Sequence, residues 1–344
     1  MTRILTYYEI NPLAWQKLVD ESPYATWFQT QEAYLFYAAN KQEMTPFACG
    51  VERDGELRAV CVGYVTREKS YFKQYFTRRA IIIGGPLIAN SANEEDVARM
   101  LYAIQQPCRL IAQSPYRPTW RTESIYIETR NFHDYSRWKD IFHKYGFEYQ
   151  SHLNFHVDCT KENILSPMSE SRRRQIKKAM KNGAEIVEAN SIKDIEKYYI
   201  ILANLYKNKI KTPLFKLEFF LNFYNLGFGK FLLVKYNDLI IGGIMCPILH
   251  GKAIYEWFVC GLDDEYREQY PSVMATYAAI EYAKQNGLPI FDFMGAGKPD
   301  EAYGVRDFKA RFGGEQVEHG RFLCIRKPLL YWVGKLGVKL LKRK

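Results

Sequence analysis

The sequence predicts an α/β fold with mixed (α+β) sheets, organised as two tandem units. Its 344 residues exceed what one hydrophobic core usually serves. Segments with helical and strand-like spacing of apolar residues alternate along the chain, an order typical of helices packed on both faces of a sheet. Each half also contains one hairpin, with its turn predicted at Asp54-Gly55 in the first half and at Asn237-Asp238 in the second.

In the first half, apolar residues recur at helical spacing over residues 11–20 and 29–40. The hairpin follows, and then an apolar run, AIIIGG, predicts a buried strand that ends at Gly84. The next segment, NEEDVARMLYAIQQ, predicts a helix, because carboxylates in the first turn favour a helix N-terminus. Two strands, RLIAQSP and SIYIET, and a helix closed by Gly146 complete this half.

The second half repeats this order of elements. A helix with Ser169 or Ser171 as its cap and Gly183 as its stop is followed by a long amphipathic helix and the second hairpin. The strand KAIYEWFVCGL, a helix that starts at Pro271 and the strand LPIFDFMG come next. The predicted domains are residues 1–160 and 161–325, followed by a basic amphipathic C-terminal segment, 326–344.

The composition narrows the class of protein. Lys and Arg outnumber Asp and Glu by 48 to 38, so the net charge of +10 favours a polyanionic partner, unless the basic surface serves solubility alone. The seven cysteines are scattered singly, which indicates reduced thiols. No metal site is predicted, because His152 and His156 lie in an alternating, strand-like stretch. No segment reads as a signal peptide or a membrane span, so a cytoplasmic protein is expected.

Four stretches carry recognisable motifs: IIIGGPLI, SRRRQIKKAMKNGAEI, FDFMGAG and YGVRDFKARFGG. They resemble, in this order, a Gly-Pro strand end, an arginine-containing helix followed by Lys-Asn-Gly and a strand, a Phe-Asp-Phe-Gly-Gly strand end, and a Phe-Lys-x-x-Phe-Gly segment. These are motifs of the Fem (FemABX-like) aminoacyltransferases, a family of the GNAT acyltransferase superfamily. The similarity in layout covers nearly the whole chain, and the second half carries most of the specificity.

The resemblance implies two tandem GNAT-like acyltransferase domains. In such domains two strands splay apart, and the gap between them accepts the acyl group. Bridge-forming Fem proteins move an amino acid from aminoacyl-tRNA to an amine on the stem peptide of a cell-wall precursor. The expected partners are therefore an aminoacyl-tRNA donor and a nucleotide- or lipid-linked muropeptide acceptor, while the oligomeric state is not predicted.

The sequence departs from the family pattern in two places. Bridge-forming members tend to have Asp-Pro at the end of a first-domain strand, where this chain has Ser114-Pro115, so no base is predicted there. The Phe-Asp-Phe-Gly-Gly strand end becomes FDFMGAG, which alters the loop that follows.

Lys309 is the leading catalytic candidate. Phe308 and Phe312 are four residues apart and would share one face of a helix, so that Lys309 points elsewhere. It also matches the lysine of the family's Phe-Lys motif. Its expected role is to bind the phosphate or terminal ribose of a donor, or to stabilise developing negative charge. The alternative is an ordinary solvated lysine.

Three consecutive arginines, Arg172, Arg173 and Arg174, open a predicted helix. Basic residues at a helix N-terminus oppose the helix dipole, so their presence there suggests an anionic ligand, which arginine binds bidentately. The alternative is a solvated basic face.

Glu256 and Asp292 lie within predicted strands, where carboxylates are unusual. Both are either structurally paired or functional, and Asp292 is a second catalytic candidate, as a base or as a group that orients Lys309. Tyr255 and Tyr303 are candidates for lining a substrate groove, with core packing as the alternative. The predicted substrate-binding set comprises the three arginines together with Tyr255, Glu256, Tyr303, Arg306 and Phe308.

No cofactor is predicted. GNAT enzymes that use acetyl-CoA usually carry R/Q-x-x-G-x-G/A before a helix, because backbone N–H groups there cradle the pyrophosphate. The corresponding stretch, EYREQYPSVMATY, lacks both glycines, and Pro271 removes one donor. In the first half, acidic residues at the helix start would repel a pyrophosphate.

The C-terminal segment combines an apolar helical stripe with lysines. Leu329, Val333, Leu336 and Leu340 follow helical spacing, with Trp332 beside them. Such a helix either makes a peripheral contact with the anionic inner membrane surface or packs on the protein with a frayed basic end.

The leading hypothesis is a cytoplasmic acyltransferase that transfers an aminoacyl group from aminoacyl-tRNA to an amine of a peptidoglycan precursor. One alternative is an N-acyltransferase that uses another acyl donor in cell-surface polysaccharide synthesis. The other is a non-catalytic protein that binds RNA or a membrane surface.

Overall fold

The computed structural model describes residues 2–67, 71–106 and 124–341. The chain forms two compact units, Met1–Ser151 with His319–Lys344, and His152–Glu318. Each unit contains one eight-stranded mixed sheet with helices packed against it, so the predicted α/β class is confirmed.

The unit boundaries differ from the predicted domains 1–160 and 161–325. Residues Leu153–Asp158 form a strand that pairs with two strands of the second unit. Residues Arg321–Ile325 pair with two strands of the first unit, and the helix that follows also belongs there. Strand pairing between distant residues decides both boundaries, and the polar stretch near residue 160 does not reveal it.

The first unit is a seven-strand path with one short strand attached to it. The strand order is β1-β2-β3-β4-β6-β16-β7, and β5 pairs with β3. Only the β4–β6 pair is parallel among these strands. The elements are β1 (Thr2–Thr6), α1 (Pro12–Glu21), α2 (Gln31–Ala39), β2 (Met44–Arg53), β3 (Glu56–Thr66), α3 (Tyr71–Thr77), β4 (Arg79–Gly84), β5 (Leu87–Ile88), α4 (Glu94–Ile104), β6 (Tyr126–Asn131), α5 (Lys139–Lys144), β7 (Glu148–Gln150), β16 (Arg321–Ile325) and α11 (Pro328–Leu341).

The second unit has the same design. Its strand order is β15-β8-β14-β12-β11-β10-β9, with β13 attached to β11. The β12–β14 pair is the parallel one. The elements are β8 (Leu153–Asp158), α6 (Glu170–Lys181), β9 (Glu185–Glu188), α7 (Ile192–Leu205), α8 (Leu217–Leu226), β10 (Gly229–Tyr236), β11 (Leu239–Leu249), β12 (Ala253–Tyr255), β13 (Phe258–Gly261), α9 (Pro271–Gln285), β14 (Ile290–Asp292), α10 (Gly304–Ala310) and β15 (Glu315–Glu318).

Both predicted hairpins are confirmed. Asp54 and Gly55 connect β2 to β3, and Asn237 and Asp238 connect β10 to β11. All four residues have positive φ angles, between 47° and 81°. Two-residue turns of this kind match the twist of antiparallel strands, and Asn, Asp and Gly tolerate the left-handed conformation best.

The core of the second unit lies between its sheet and the helices α6 and α9. On α9, mostly small residues face the sheet, including Ala275, Ala278 and Ala279, so the helix packs closely over β10, β11 and β13. The amphipathic α6 contributes Ile176 and Ala179 to the same core. This packing fixes where the ends of β12 and β14 lie relative to α9.

The two units differ at their parallel strand pairs. In the first unit, β4 and β6 are paired at six successive positions. In the second unit, β12 and β14 are paired at three positions, the last of which joins Tyr255 to Asp292. Beyond this point β13 pairs with β11, whereas Phe293 donates its N–H to the carbonyl of Phe155 on β8. The segments that follow β12 and β14 therefore diverge and leave a gap between them.

One prediction concerns two glycines of the second unit, Gly287 after α9 and Gly313 after α10. Gly313 has a φ of +76°, and a Cβ there would lie 2.1 Å from the carbonyl oxygen of Pro167. Gly287, in the same unit, has a φ of +66° with open space around it. We expect Gly287→Ala to cost about 1 kcal/mol of unfolding free energy, through backbone strain alone. Gly313→Ala should cost roughly 1–3 kcal/mol more, because a backbone carbonyl must move. Urea denaturation of both variants measures the difference, and equal costs would contradict the expectation.

Candidate active site

Lys309 lies in the gap between the diverging chains of the second unit. Its side chain is buried, with 8% of the residue exposed. The ammonium is 3.0 Å from Oε1 of Glu256, and it donates hydrogen bonds to the carbonyl oxygens of Phe293 (2.8 Å) and Gly295 (2.9 Å). Because an ammonium has three N–H donors, these contacts use all of them. Lys309 is therefore not the solvated lysine of the alternative interpretation.

Glu256 is the buried counter-ion of Lys309. It directly follows β12, and its N–H donates to the carbonyl of Asp292 at 2.9 Å, which is the last contact before the chains separate. Its Oε2 accepts a hydrogen bond of 3.3 Å from the hydroxyl of Thr276 on α9. Burial raises the pKa of Glu256, although the Lys309 ammonium opposes that shift. Each charge depends on the other, since removal of one would leave its partner uncompensated in the interior.

Asp292, at the end of β14, is buried and fully hydrogen-bonded. Its Oδ1 accepts from the side-chain amide of Asn154 (2.8 Å) and from the N–H of Met294 (2.6 Å), and its Oδ2 is 3.1 Å from Nε2 of His156. Burial alone would raise the pKa of Asp292, but His156 and the hydrogen bonds outweigh it and lower the pKa. These contacts hold Asp292 in one position, and its role as a base stays a prediction.

The turn after β14 brings two carbonyl groups to one ammonium. Met294 has a φ of 59°, in the left-handed region, and Gly295 follows at 133°. The side chain of Asn154 fixes this turn from the neighbouring strand, because its Oδ1 accepts the N–H of Gly295 at 2.7 Å. The carbonyls of Phe293 and Gly295 both reach Lys309 as a result. The glycine-containing turn in FDFMGAG thus supplies two of the groups that hold the Lys309 ammonium.

His156 and Asn154 are site residues that the sequence did not single out for this role. They are two residues apart on β8 and therefore share one face of the sheet, where they meet Asp292. Burial lowers the pKa of His156, but the Asp292 carboxylate more than compensates, and the pKa is raised above its ordinary value. The sequence offered one signal, a histidine in an alternating strand, but nothing in it connected that strand to β14.

Arg172 fastens the helix that carries Lys309. It is 2% exposed, and its Cζ lies 4.4 Å from the ring centre of Phe308 and 4.2 Å from that of Phe312. Its Nη2 donates to the carbonyl of Phe308 at 2.9 Å and its Nη1 to the side chain of Gln175 at 3.0 Å. Burial lowers the pKa of Arg172 to about 10. The predicted role in binding an anionic ligand is corrected for Arg172, which supports α10 from inside.

The three consecutive arginines do not form one patch. Ser169 caps α6, and successive residues of a helix point about 100° apart. Nη1 of Arg173 donates to the carbonyls of Ser166 (3.2 Å) and Met168 (2.7 Å). Arg174 is exposed and lies 3.6 Å from Glu170. Of the three, Arg173 and Arg174 remain accessible to a ligand in solution.

The remaining predicted residues differ in their contacts and in their burial. The guanidinium of Arg306 donates to four carbonyl groups of the loop 296–301, those of Ala296, Lys298, Pro299 and Glu301. Tyr303 is exposed, and its ring lies where a Cβ on Gly297 would be only 2.8 Å away. Tyr255 is buried at the end of β12, as in the core alternative, and the half-buried Phe308 packs against the core.

The N-terminus of α9 is occupied by a carboxylate of the chain itself. Pro271 has no N–H, and the N–H and hydroxyl of Ser272 donate to Oδ1 (3.0 Å) and Oδ2 (2.5 Å) of Asp263. A pyrophosphate at this position would meet the negative charge of Asp263 and would find fewer donors. These contacts oppose the binding of coenzyme A at the place where GNAT enzymes usually hold it.

Two further findings concern only residues 2–67, 71–106 and 124–341. No group of three or more His, Cys, Asp or Glu in these ranges is placed to hold a metal ion. None of the helices within them has the length and apolar character that crossing a bilayer requires. Ser114-Pro115, the counterpart of the family's Asp-Pro, lies outside the described residues, as does the predicted strand RLIAQSP.

The chain is similar to known proteins in part of its sequence and in its fold. Residues 237–339 match a model described as the FemAB family. A crystal structure of FemX covers 96% of this chain and 99% of its own, with 14% identity and a TM-score of 0.70. L-PGS from Bacillus licheniformis covers 97% of both chains at 12% identity and a TM-score of 0.56. A tandem GNAT protein from the clavulanic acid biosynthesis pathway covers 94% of this chain and 98% of its own, at 8% identity and 0.52. No curated protein matched the sequence.

The fold of this chain is similar to that of FemX and of a tandem GNAT protein over nearly its whole length. The match over residues 237–339 confirms, for that part of the chain, the FemAB-like resemblance predicted from the sequence. The matched range contains Glu256, Asp292 and Lys309, and so includes both charges of the buried ion pair.

A second prediction tests the support of α10 by Arg172. Arg172→Lys removes the planar group that fits between the two phenylalanine rings and is expected to cost about 2–3 kcal/mol of stability. Arg174→Lys, in the same turn of α6 but exposed, should change stability by less than about 0.5 kcal/mol. Thermal or urea denaturation gives both values. Comparable effects of the two substitutions would show that the contacts of the buried Arg172 guanidinium do not stabilise the fold.

A third prediction follows from the pair His156–Asp292. The pKa of His156 is raised, so its contribution to stability is complete below its ordinary value of 6.5 and is lost as the pH rises through the raised pKa. The pKa of Asp292 is lowered, so its contribution is complete above 3.8 and is lost as the pH falls through the lowered pKa. His156→Gln should therefore cost most between pH 3.8 and 6.5, by about 2 kcal/mol, and less in alkaline solution.

The matched control is His143→Gln. His143 also lies 3.1 Å from a carboxylate, that of Glu148, but both side chains are exposed. Solvent screens such a pair, so this variant should cost little at any pH. Urea denaturation across the pH range separates the two. A cost of His156→Gln that does not change with pH would contradict an ion pair at Asp292.

Proposed function

We propose that the protein is a cytoplasmic Fem-type aminoacyltransferase, which transfers an aminoacyl group from aminoacyl-tRNA to an amine of a peptidoglycan precursor. The observation that supports this most is the Lys309 ammonium, which lies in the gap between the separated strands of the second unit. It sits on the Phe-Lys segment within the range that matches the FemAB model.

The proposed reaction needs little covalent help from the protein. The acceptor amine attacks the carbonyl carbon of the aminoacyl ester, a C–N bond forms, and the carbonyl oxygen becomes negatively charged. The C–O bond to the terminal ribose then breaks, and the ribose oxygen takes up a proton while the amine nitrogen loses one. Such a reaction depends on positioning, on stabilisation of the oxyanion and on a proton acceptor.

Lys309 is the residue we assign to the oxyanion. A buried ammonium is worth more to a developing charge than an exposed one, since the surrounding dielectric is low. Its three donors are engaged with Glu256, Phe293 and Gly295. The carbonyl oxygen of the ester would replace one of the two backbone carbonyls as a partner of the ammonium. The carboxylate of Glu256 would keep the ammonium in place. Backbone carbonyls are neutral acceptors, so this exchange trades a weaker partner for a charged one.

The other predicted residues take supporting roles in this proposal. Asp292, with His156 and Asn154, holds the turn that aims the two carbonyls at Lys309. Arg306 holds the loop that follows this turn. Arg173, Arg174 and Tyr303 are exposed or half-exposed members of the predicted binding set, and we assign them to the anionic parts of donor or acceptor.

The proposed partners follow from charge and from the family. The net charge of +10 suits a polyanionic tRNA and a phosphate-bearing acceptor. A muropeptide acceptor carried on a nucleotide would be met in solution, and one carried on a lipid would be met at the inner membrane surface. Transfer from acetyl-CoA to a sugar amine is the second candidate, and the contacts of Asp263 at the start of α9 disfavour it.

The fourth prediction tests the proposed function directly. Purified protein is incubated with labelled aminoacyl-tRNAs and a nucleotide-linked muropeptide, and transfer of label is followed by chromatography. Lys309→Ala should lower kcat by about 10²–10³-fold, the usual effect of removing one oxyanion donor. The matched control is Lys298→Ala, because Lys298 is an exposed lysine whose ammonium pairs with Glu301 on the surface. It should retain nearly full activity.

A double variant separates catalysis from folding. Lys309→Met with Glu256→Gln removes both buried charges while volume is nearly conserved, so it is expected to fold as the parent protein does. Loss of transfer in a folded double variant supports the role of the ammonium. Full transfer by that variant, or no transfer by the parent protein with any aminoacyl-tRNA, would defeat the proposal.

A further inference from the structure

The C-terminal helix α11 has an inner face that packs on the first unit. The ring of Tyr331 meets that of Tyr126 on β6 edge to face, with 5.4 Å between the ring centres. A Cβ on Gly334 would lie 3.3 Å from the carbonyl oxygen of Phe76 on α3, so the helix backbone approaches α3 closely. Residues 331 and 334 are thus directed inward, and the positions between them face away.

The outer face of α11 exposes three large apolar side chains. Leu329 is 84% exposed, Trp332 58% and Val333 53%. Their spacing of three and four residues places them side by side on one helix face. Single exposed apolar residues are common on soluble proteins, whereas a continuous apolar stripe marks an interaction surface. The helix backbone continues to Leu341, and the sequence has leucines at positions 336 and 340, which keep the same spacing.

The surroundings of this stripe are basic. Glu318 is the last acidic residue of the sequence, and eight basic residues follow it: Arg321, Arg326, Lys327, Lys335, Lys339, Lys342, Arg343 and Lys344. The ammonium of Lys335 lies 5.1 Å from the ring centre of Trp332. The helix α3, against which α11 packs, also contains neither Asp nor Glu. The sequences of α11 and α3 thus combine an apolar stripe with cations and contain no Asp or Glu, which matches a partner with an apolar interior and an anionic outer layer.

We propose that α11 docks on an anionic lipid bilayer, with Leu329, Trp332 and Val333 among the acyl chains and the lysines of the helix at the headgroups. Amphipathic helices with Lys or Arg on the polar side and Trp or Leu on the other bind membranes in this way. With 14 residues, α11 is too short to cross a bilayer, so it lies along the surface. A second copy of the chain is a poorer occupant, because like charges would face each other. A nucleic acid would leave the apolar side chains in water.

The inference does not rest on the proposed function. The stripe belongs to the first unit, whereas Lys309 and its partners belong to the second. If the protein fails to transfer an aminoacyl group, the proposed membrane docking still stands. If it fails to bind vesicles, the proposed transfer still stands. The two proposals are therefore tested by separate measurements on the same full-length protein.

The test is sedimentation with vesicles. The full-length protein is mixed with vesicles of phosphatidylcholine alone, or of phosphatidylcholine with phosphatidylglycerol, at low and high salt. We expect binding to the anionic vesicles that weakens with salt, because the headgroup contacts are screened. Leu329→Asp and Trp332→Asp should each lower the partition coefficient by roughly tenfold or more, since a carboxylate cannot enter the apolar layer. Lys335→Glu should lower it by roughly fivefold.

The matched control is Leu13→Asp. Leu13 is also a helical leucine, 81% exposed on α1, but it lies outside the stripe. This variant should bind as the parent does. In addition, lipids with brominated acyl chains should quench a fluorescence component that is missing from Trp332→Phe.

Three results would overturn the proposal. One is equal binding of the parent protein to neutral and anionic vesicles, or no binding to either. Another is an equal effect of Leu13→Asp and Leu329→Asp. The third is a dimer in sedimentation velocity without lipid that Leu329→Asp dissolves, which would assign the stripe to a second copy of the chain.

Discussion

The structure of the second unit depends on one constraint: two opposite charges, on Lys309 and Glu256, lie together in the protein interior. Burying such a pair is costly unless every remaining donor and acceptor is satisfied. The surrounding residues meet that requirement. The left-handed turn at Met294 supplies two carbonyls, Thr276 supplies a hydroxyl, and the aromatic clamp on Arg172 keeps α10 at the depth the ammonium needs. Polar side chains on β8 then hold the turn itself, so a single ion pair explains most of the unusual residues around the gap.

The two units share one design and differ at their parallel strand pairs. Both have an eight-stranded sheet with one parallel strand pair. In the first unit that pair is joined along its whole length, which makes a continuous sheet. In the second the strands separate after three positions, and the space is filled by charge rather than by apolar side chains. A sheet that opens at one point places backbone and side-chain polar groups where a ligand can meet them. The first unit instead contributes a closed scaffold, with the exposed stripe of α11 on its surface.

Sequence patterns predicted what local spacing controls and missed what distant pairing controls. The hairpin turns, the limits of most helices and the family motif FKARFGG were predictable, because turn residues, caps and motifs are local. The burial of Arg172 was also within reach, since Arg172, Ile176 and Ala179 lie at helical spacing and the last two are plainly core residues. The contact of His156 with Asp292 was not, because the two residues are far apart in sequence and meet only through the register of β8 and β14. The position of β16 between β6 and β7 was hidden for the same reason.

That position of β16 has a consequence for the order in which the chain is assembled. The strand lies inside the first sheet, between β6 and the edge strand β7, yet it is translated after the entire second unit. On the ribosome, residues 152–318 emerge complete while β6 and β7 still lack the strand that joins them. Until the last segment is synthesised, β6 has an unpaired edge and β7 has no partner strand, and both are open to wrong partners. A nascent chain interrupted before residue 321 would contain a finished second unit and an unfinished first one.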